Sequence, residues 1–428
     1  MGKKIIVAGA GHGGLGAAAI LSRRGFDVTV IEQKQRDELG YDWYDCTLAE
    51  NFDAVGARRP DENSLLPMKE IHYFSPAKTV LVKPYKRIYK KAVYIERKLI
   101  YDLLIENAEK SGVKIIYGVK ILSAVCDDER VTGILTQNGE MKCDFVIDAA
   151  GMDSPVRRSL PEKFGILREI DDADTLFTFR AFYRNNDSFT ALPKYCAYFY
   201  HCGHRGFDWV INEGDYSDVL VGALGKLDED DVEKTLEDFR SDHKYLTDEI
   251  LRGGQYGKIP LRKTLSKLVC NSYAVIGDSA SMIEPLSGSG ITLSLNSAPM
   301  LANAVCEAEN GGYCEKDLWH YQYDYFNKYI KMILHDDALK SLLTEIGEDN
   351  LNKLFTKKIL SAKDLYGGKM SIPEFIDKAS GMISVPGLVP YFTKLAVRLK
   401  KIDVLYKTIP EKYDETAVSE WINKYDSF

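Results

Sequence analysis

KKIIVAGAGHGGLGAAAILSRRGFDVTVIEQ, running from Lys3 to Gln33, is the stretch that decides the fold. Apolar Ile5 to Ala8 read as a short buried strand, and Gly9, Gly11 and Gly14 take the G-x-G-x-x-G positions. A helix follows from Leu15 to Arg24 and closes at Gly25. Each glycine has a mechanical reason. Gly9 allows a tight turn, Gly11 lets the backbone approach a pyrophosphate, and Gly14 lets the helix pack closely on the sheet. The helix N-terminus offers unpaired N–H groups and the positive end of its dipole to the phosphates. Val28, Val30 and Ile31 continue into a second buried strand that ends at Glu32. That carboxylate would accept bonds from ribose hydroxyls and repel a 2′-phosphate, which points to FAD or NAD rather than NADP.

Outward from this stretch, 428 residues with 45% hydrophobic content suffice for two or three substructures around ordinary cores. A net charge of −7 argues against general nucleic-acid binding. The eight cysteines form no C-x-x-C pair, which suits reduced, mostly buried thiols in a cytoplasmic protein. The lysines ahead of Ile5 imitate a signal peptide, but the glycine motif accounts for the apolar run. No window approaches a spanning helix of about 20 apolar residues.

The loop after Glu32 carries Tyr41, Trp43, Tyr44 and Cys46, placed to wall a cofactor or a substrate pocket. His72 to Tyr94 alternate as one or two strands, Arg97 to Lys110 read as a helix, and Asn138–Gly139 marks a hairpin turn before a buried strand Phe145 to Asp148. Aromatic-rich segments between Thr175 and Leu224 read as antiparallel strands with one face buried and the other lining a pocket. Glu229 to Gly253 read as one amphipathic helix with Val232, Leu236, Phe239, Leu246 and Ile250 inward. The expected architecture is α/β: a Rossmann-like FAD-binding domain (1–71, 95–165, 258–310) with an inserted antiparallel β-sheet substrate domain (72–94, 166–257) and a helical C-terminal region (311–428).

VIGDSASMIEPLSGSGI, Val275 to Ile291, names the cofactor. Asp278, following a buried strand and Gly277, is placed to accept a bond from a ribityl hydroxyl, which NAD lacks. Pro285, Gly288 and Gly290 shape a close loop, and a helix starting near Ile291 would aim its positive end at the pyrimidine edge of a flavin.

With the helix pattern R-x-x-x-Y-D-x-L that starts at Arg97 and the turn Ala149–Arg157 containing Gly151, these motifs resemble FAD proteins of the p-hydroxybenzoate hydroxylase fold. Within that group the chain is most similar to the geranylgeranyl reductase family, over about residues 1–305. The resemblance implies that Arg97 and Asp278 contact FAD and that Cys46 matches a cysteine beside the flavin. It also departs from the pattern: Ala150-Gly151 replaces Asp-Gly, and FDWVIN keeps Trp209 but lacks the Phe-Pro of the reductase strand.

The function expected is reduction of C=C bonds in an apolar, prenyl or lipid-like substrate, with hydride from the reduced flavin N5 and a proton delivered by a second group. Cys46, Trp209 and Tyr200 are the catalytic candidates, with Tyr198 and Phe207 as further pocket aromatics. A tyrosine of the Tyr41–Tyr44 loop or an ordered water is an alternative proton source. No second G-x-G-x-x-G occurs, so electrons would come from transiently docked NAD(P)H or an electron-donor protein. A monooxygenase or halogenase acting on an aromatic substrate is the alternative, and an electron-transfer flavoprotein a second one. No metal is expected, since His201-Cys202-Gly203-His204 sits at a hairpin turn without a distant ligand set. The basic segment Leu388 to Ile409 leaves peripheral membrane contact open, though a packed helix with a solvated face is favoured.

Overall fold

The computed structural model describes residues 2–79, 81–82, 91–308, 310, 312–357, 359–360 and 385–428. Its first elements are β1 (Lys4–Ala8), α1 (His12–Arg23) and β2 (Asp27–Ile31). The helix begins at His12 rather than Leu15 because Gly11 is already an extended N-cap, so the second half of the glycine motif is helical. β1 pairs in parallel with β2, and Ile5 to Ala8 are all buried. An unalternated apolar run suits a strand covered on both faces.

The chain then leaves this sheet through β3 (Tyr44–Leu48), β4 (Leu66–Pro67), β5 (Ile71–Phe74), β6 (Leu81–Val82) and β7 (Ala92–Glu96). It returns with α2 (Arg97–Lys110) and β8 (Lys114–Ile116). A three-stranded meander follows, β9 (Ile121–Cys126), β10 (Val131–Thr136) and β11 (Gly139–Lys142), and leads to β12 (Phe145–Asp148) and the short α3 (Pro155–Ser159). Next come β13 (Leu176–Asn185), β14 (Tyr195–Phe199), β15 (Phe207–Asn212), β16 (Tyr216–Leu224), α4 (Glu229–Asp242) and β17 (Leu246–Ile259). The last strands, β18 (Val269–Cys270) and β19 (Tyr273–Val275), precede α5 (Ile291–Glu307).

Two sheets organise these elements. The six-stranded sheet has the order β18-β19-β12-β1-β2-β8 and is parallel except where β18 meets β19. The seven-stranded sheet has the order β17-β13-β16-β15-β14-β5-β6, with β5 joining β14 in parallel. Alternation along its strands splits the side chains between two cores. Phe179, Ala181, Tyr183, Cys196 and Tyr198 meet Val232, Leu236 and Phe239 of α4 on one face. Tyr195, Ala197, Trp209 and Ile211 face the main core on the other. The chain is thus α/β, with a Rossmann-like parallel sheet, an inserted antiparallel sheet and a helical C-terminal region.

One element differs from its sequence reading. The helix expected over Glu229 to Gly253 stops at Asp242, and Leu246–Ile259 form a long edge strand beside β13. His243 leaves the helical region at φ −104°, ψ 74°, and its ring is held between the hydroxyls of Tyr198 and Tyr245, each at 2.9 Å. Leu246 is buried, but Ile250 is 48% exposed and belongs to no core.

The C-terminal helices are α6 (Glu315–Tyr325), α7 (Lys331–Glu345), α8 (Gly347–Thr356), α9 (Val389–Lys407) and α10 (Glu415–Asp426). α9 buries Phe392, Leu395, Leu399, Ile402 and Leu405, and docks on α7 through Arg398 to Asp337 at 2.7 Å. Lys394 pairs with Glu345 at 2.6 Å on the same side. The basic segment is therefore a packed helix. Among the described residues no helix is long and apolar enough to cross a membrane.

Candidate cofactor site

Close packing of two turns against each other creates the site. Gly9 sits at φ +86°, and a Cβ there would lie 2.6 Å from Ala150 Cα. A Cβ at Gly11 would meet Ala149 O at 2.6 Å, and one at Gly14 would meet Ala149 Cβ at 2.5 Å. The glycines of the first turn and the alanines of the second thus fit one another. Beside them opens a cavity of about 470 Å³ lined by Gly9, Gly11, Glu32, Arg97, Gly151 and Asp278, drawn from distant parts of the chain. That volume is within the usual range for small-molecule sites.

Glu32, at the end of β2, is 8% exposed. Its Oε2 accepts Ala10 N–H at 2.8 Å and its Oε1 accepts Lys34 N–H at 2.9 Å. Each oxygen keeps a further lone pair for a ribose hydroxyl. Arg97 opens α2 and donates Nη1–H to Asp45 at 3.1 Å, while its buried Nε has no partner. Its guanidinium lies 5.3 Å from the Tyr41 ring, which stacks on Trp43 at 4.1 Å. Burial opposes the charge on Arg97, but Asp45, Tyr101 and Asp278 hold it cationic. Burial pushes the Asp278 carboxyl up, and Arg97 opposes that shift.

The loop behind Asp278 is shaped as its glycines require. Gly277 has φ +67° and Gly288 has φ +72°. Gly290, the N-cap of α5, would place a Cβ 3.3 Å from Asp278 Oδ1, so a side chain there would press on that carboxylate. No side chain caps α5, which leaves its first N–H groups and dipole end open. Pro285, Gly288, Gly290 and Ile291 are not part of the cavity wall; they form the loop and helix start that support Asp278. The unpaired Arg97 Nε, the uncapped N-termini of α1 and α5, and the glycine cradle fit a group such as FAD, whose diphosphate they would hold.

Sequence reasoning missed Asp148, a fully buried brace at the end of β12. Its Oδ1 accepts Ala150 N–H and Ser279 Oγ–H, both at 3.1 Å. Its Oδ2 accepts Ser154 Oγ–H at 2.6 Å, Tyr273 Oη–H at 2.8 Å and Arg157 N–H at 3.1 Å. These bonds tie the second glycine turn to α3, β19 and the Gly277–Ala280 turn. His12 and Tyr101 also line the cavity; His12 stood inside the quoted motif, but nothing in its spacing marked it.

The catalytic candidates separate. Along β3, Asp45 pairs with Arg97, and Cys46, the next residue, lies opposite Tyr94 of β7 with its Sγ 3.9 Å from Met68 Sδ. Burial, with Asp45 and Glu284, pushes the Cys46 thiol up to about 12, so it stays protonated at neutral pH. Trp209 sits between Ala197 and Leu220 in the large sheet, its buried Nε1 without a partner. The Arg180 guanidinium lies 5.2 Å from the Trp209 ring. Arg180 holds Asp218 through two bonds of 2.8 and 2.5 Å, and donates to Tyr44 O at 2.9 Å. Near this pair a cavity of about 10 Å³, enough for roughly one water, is lined by Tyr44, Tyr94, Phe182 and Asp218.

Tyr200, just past the end of β14, reaches toward the C-terminal helices. It is 6% exposed, sits in left-handed backbone at φ +49°, and donates its hydroxyl to Thr344 O of α7 at 2.6 Å. The strand ends just before it, and the tight turn rotates its side chain to the helical region. At the same turn His201, Cys202 and Asp238 bring potential ligand atoms within 4.8 Å of one another. The distant residue Asp238 from α4 was not foreseen. Both His201 nitrogens already donate to carboxylates, Nδ1 to Asp208 at 2.9 Å and Nε2 to Asp238 at 2.7 Å, and Lys78 pairs with the same Asp238.

A family described as FAD binding domain matches residues 3–192. The digeranylgeranylglycerophospholipid reductase of Sulfolobus acidocaldarius is 23% identical over 99% of this chain and 96% of its own length. Its counterpart from Methanococcus aeolicus is 25% identical over 82% and 88%. Among solved structures, a geranylgeranyl bacteriochlorophyll reductase-like protein from Thermoplasma acidophilum superposes with a TM-score of 0.72 at 18% identity, over 92% of this chain and 99% of that one. The Pseudomonas aeruginosa protein PqsL bound to 2-aminobenzoylacetate gives 0.58 at 17% identity, over 83% and 100%. The chain is an FAD-dependent oxidoreductase that resembles geranylgeranyl reductases.

Proposed function

We propose that the chain reduces carbon–carbon double bonds of a prenyl or similarly lipid-like substrate. The observation that carries this reading is the reductase relative that aligns along 99% of this chain and 96% of its own length. In this reading residues 1–71, 95–165 and 258–310 form the cofactor unit, and 72–94 with 166–257 form the substrate unit. Bound in the cavity, reduced FAD supplies the hydride.

The protein's own residues do the rest. Glu32, Arg97, Gly151 and Asp278 hold the cofactor, and the Asp45–Arg97 pair fixes the strand that carries Cys46. Cys46 and Trp209 would face the substrate, with Tyr94 and Tyr195 helping to exclude water. Cys46 keeps its proton on Sγ, and a thiol held near 12 is a weak acid, so it works only as the substrate carbon gains basicity. Electrons would reach the flavin from NAD(P)H or a donor protein, because no second dinucleotide motif occurs in the sequence.

A second reading, oxygen-dependent modification of a smaller aromatic substrate, is favoured by one feature. The small cavity near the Arg180–Asp218 pair mixes the polar groups of Tyr44, Tyr94, Glu213 and Asp218 with the apolar side chains of Leu66, Phe182 and Ile211. The separating experiment is anaerobic mixing of the reduced protein with a geranylgeranyl lipid. We expect flavin reoxidation with a saturated product. Reoxidation by oxygen alone, with an oxygenated product, would overturn the reductase reading.

A further inference from the structure

His12 is the first residue of α1, at the position where a helix N-terminus meets a diphosphate. It is 8% exposed and lines the cofactor cavity with Arg97 and Tyr101. Its ring lies 4.7 Å from that of Tyr101, at 38° between planes. Its Nε2 is buried with no hydrogen-bond partner, as is the neighbouring Arg97 Nε. Buried ring nitrogens are rarely left unpaired, since the lost water bond is not replaced. Both residues line the same cavity beside the uncapped start of α1, a setting that suits an anionic acceptor.

The groups around the ring explain its state in the free protein. Arg97 and Tyr101 approach from α2, Glu32 lines the cavity from the end of β2, and Asp278 from the turn after β19. Burial, then the Arg97 charge, push the imidazole down to about 3, so it is neutral when the cavity holds no anion. A diphosphate brings negative charge beside the ring and offsets the Arg97 charge, which favours the imidazolium.

We propose that His12 recognises the diphosphate of FAD through Nε2 and takes up a proton as the cofactor binds, so that FAD retention is linked to pH. The sign follows from linkage. A group that gains affinity for protons on binding tightens the complex at low pH, and the gain is lost as pH rises through the pKa of the bound state. For a single proton the dissociation constant changes at most about tenfold per pH unit.

The test uses the full chain, stripped of flavin and titrated with FAD. Calorimetry in two buffers of different ionisation enthalpy should show proton uptake between pH 5 and 7, and the dissociation constant should rise with pH across that interval. With riboflavin, which has no diphosphate, uptake should vanish. H12Q and H12N should bind FAD at least about tenfold more weakly at pH 6 and lose the extra pH slope. No proton uptake by the wild-type protein overturns the proposal even if the variants fail to fold. An unchanged affinity and slope in folded H12Q overturns it as well. None of these readouts depends on whether an alkene is reduced.

Discussion

Asp148 shows how much one side chain can hold in place. Its carboxylate receives bonds from the second glycine turn, α3, β19 and the Gly277–Ala280 turn, all inside a site without solvent. Asp148→Ala leaves several buried donors unmatched at once, so we expect a loss of at least about 3 kcal/mol in chemical denaturation, with weakened FAD retention. His201 gives a pH-dependent counterpart. Burial alone would lower its pKa, but Asp208 and Cys202 raise it to about 10. The folded value exceeds the unfolded one of 6.5, so its stabilisation is complete below about pH 6.5 and is lost as pH rises through about 10. The difference in melting temperature between wild type and H201Q should therefore be large at pH 6 and shrink above pH 10. Glu32 and Asp278 were legible in the sequence because each stands at a fixed offset from glycines whose spacing has a mechanical cause. Asp148 was not, because Ser154, Tyr273 and Ser279 reach it from segments that adjoin it only after folding.

At the scale of elements, the packing of α1 on the parallel sheet depends on the missing side chain at Gly14. A Cβ there would lie 2.5 Å from Ala149 Cβ and 3.0 Å from Val7 Cγ1. Gly14→Ala should push the helix off the sheet, and we expect expressed protein to purify with less than about a tenth of the wild-type flavin, read from its visible absorbance. The α4–β17 segment supplies a different check. Leu246 is 4% exposed and Ile250 48% exposed, although helical spacing makes both core residues. Leu246→Ala should cost about 2–4 kcal/mol, whereas Ile250→Ala should stay within about 0.5 kcal/mol. Equal effects in urea titrations would restore the helix. Periodicity could not decide this segment, because apolar residues four apart satisfy a helix and also every second position of a strand. What broke the tie was tertiary: β13 needed an edge partner, and His243 found two tyrosine hydroxyls at the helix end.

At the scale of the molecule, the C-terminal helices clamp the segment that leads into the cofactor turn. Lys263 Nζ donates to Tyr425 O at 2.7 Å and Phe428 O at 3.0 Å, Tyr425 Oη to Thr264 O at 2.7 Å, and Tyr321 Oη to Val275 O at 2.9 Å. Deleting residues 415–428 should lower the melting temperature and the flavin content together, though no deleted residue lines the cavity. The six-stranded sheet takes strands from both ends of a long interval, β1 at Lys4–Ala8 and β19 at Tyr273–Val275, with the whole seven-stranded sheet threaded between. That arrangement has a consequence in time. A ribosome releases the glycine turn first, but the carboxylate of Asp278 that completes its pocket emerges some 270 residues later. The nascent N-terminal unit must wait with an open sheet edge between β1 and the absent β12, the condition under which chains misassociate or recruit chaperones. Flavin supplied during translation should therefore raise the yield of folded protein only after β19 and the start of α5 have cleared the exit tunnel.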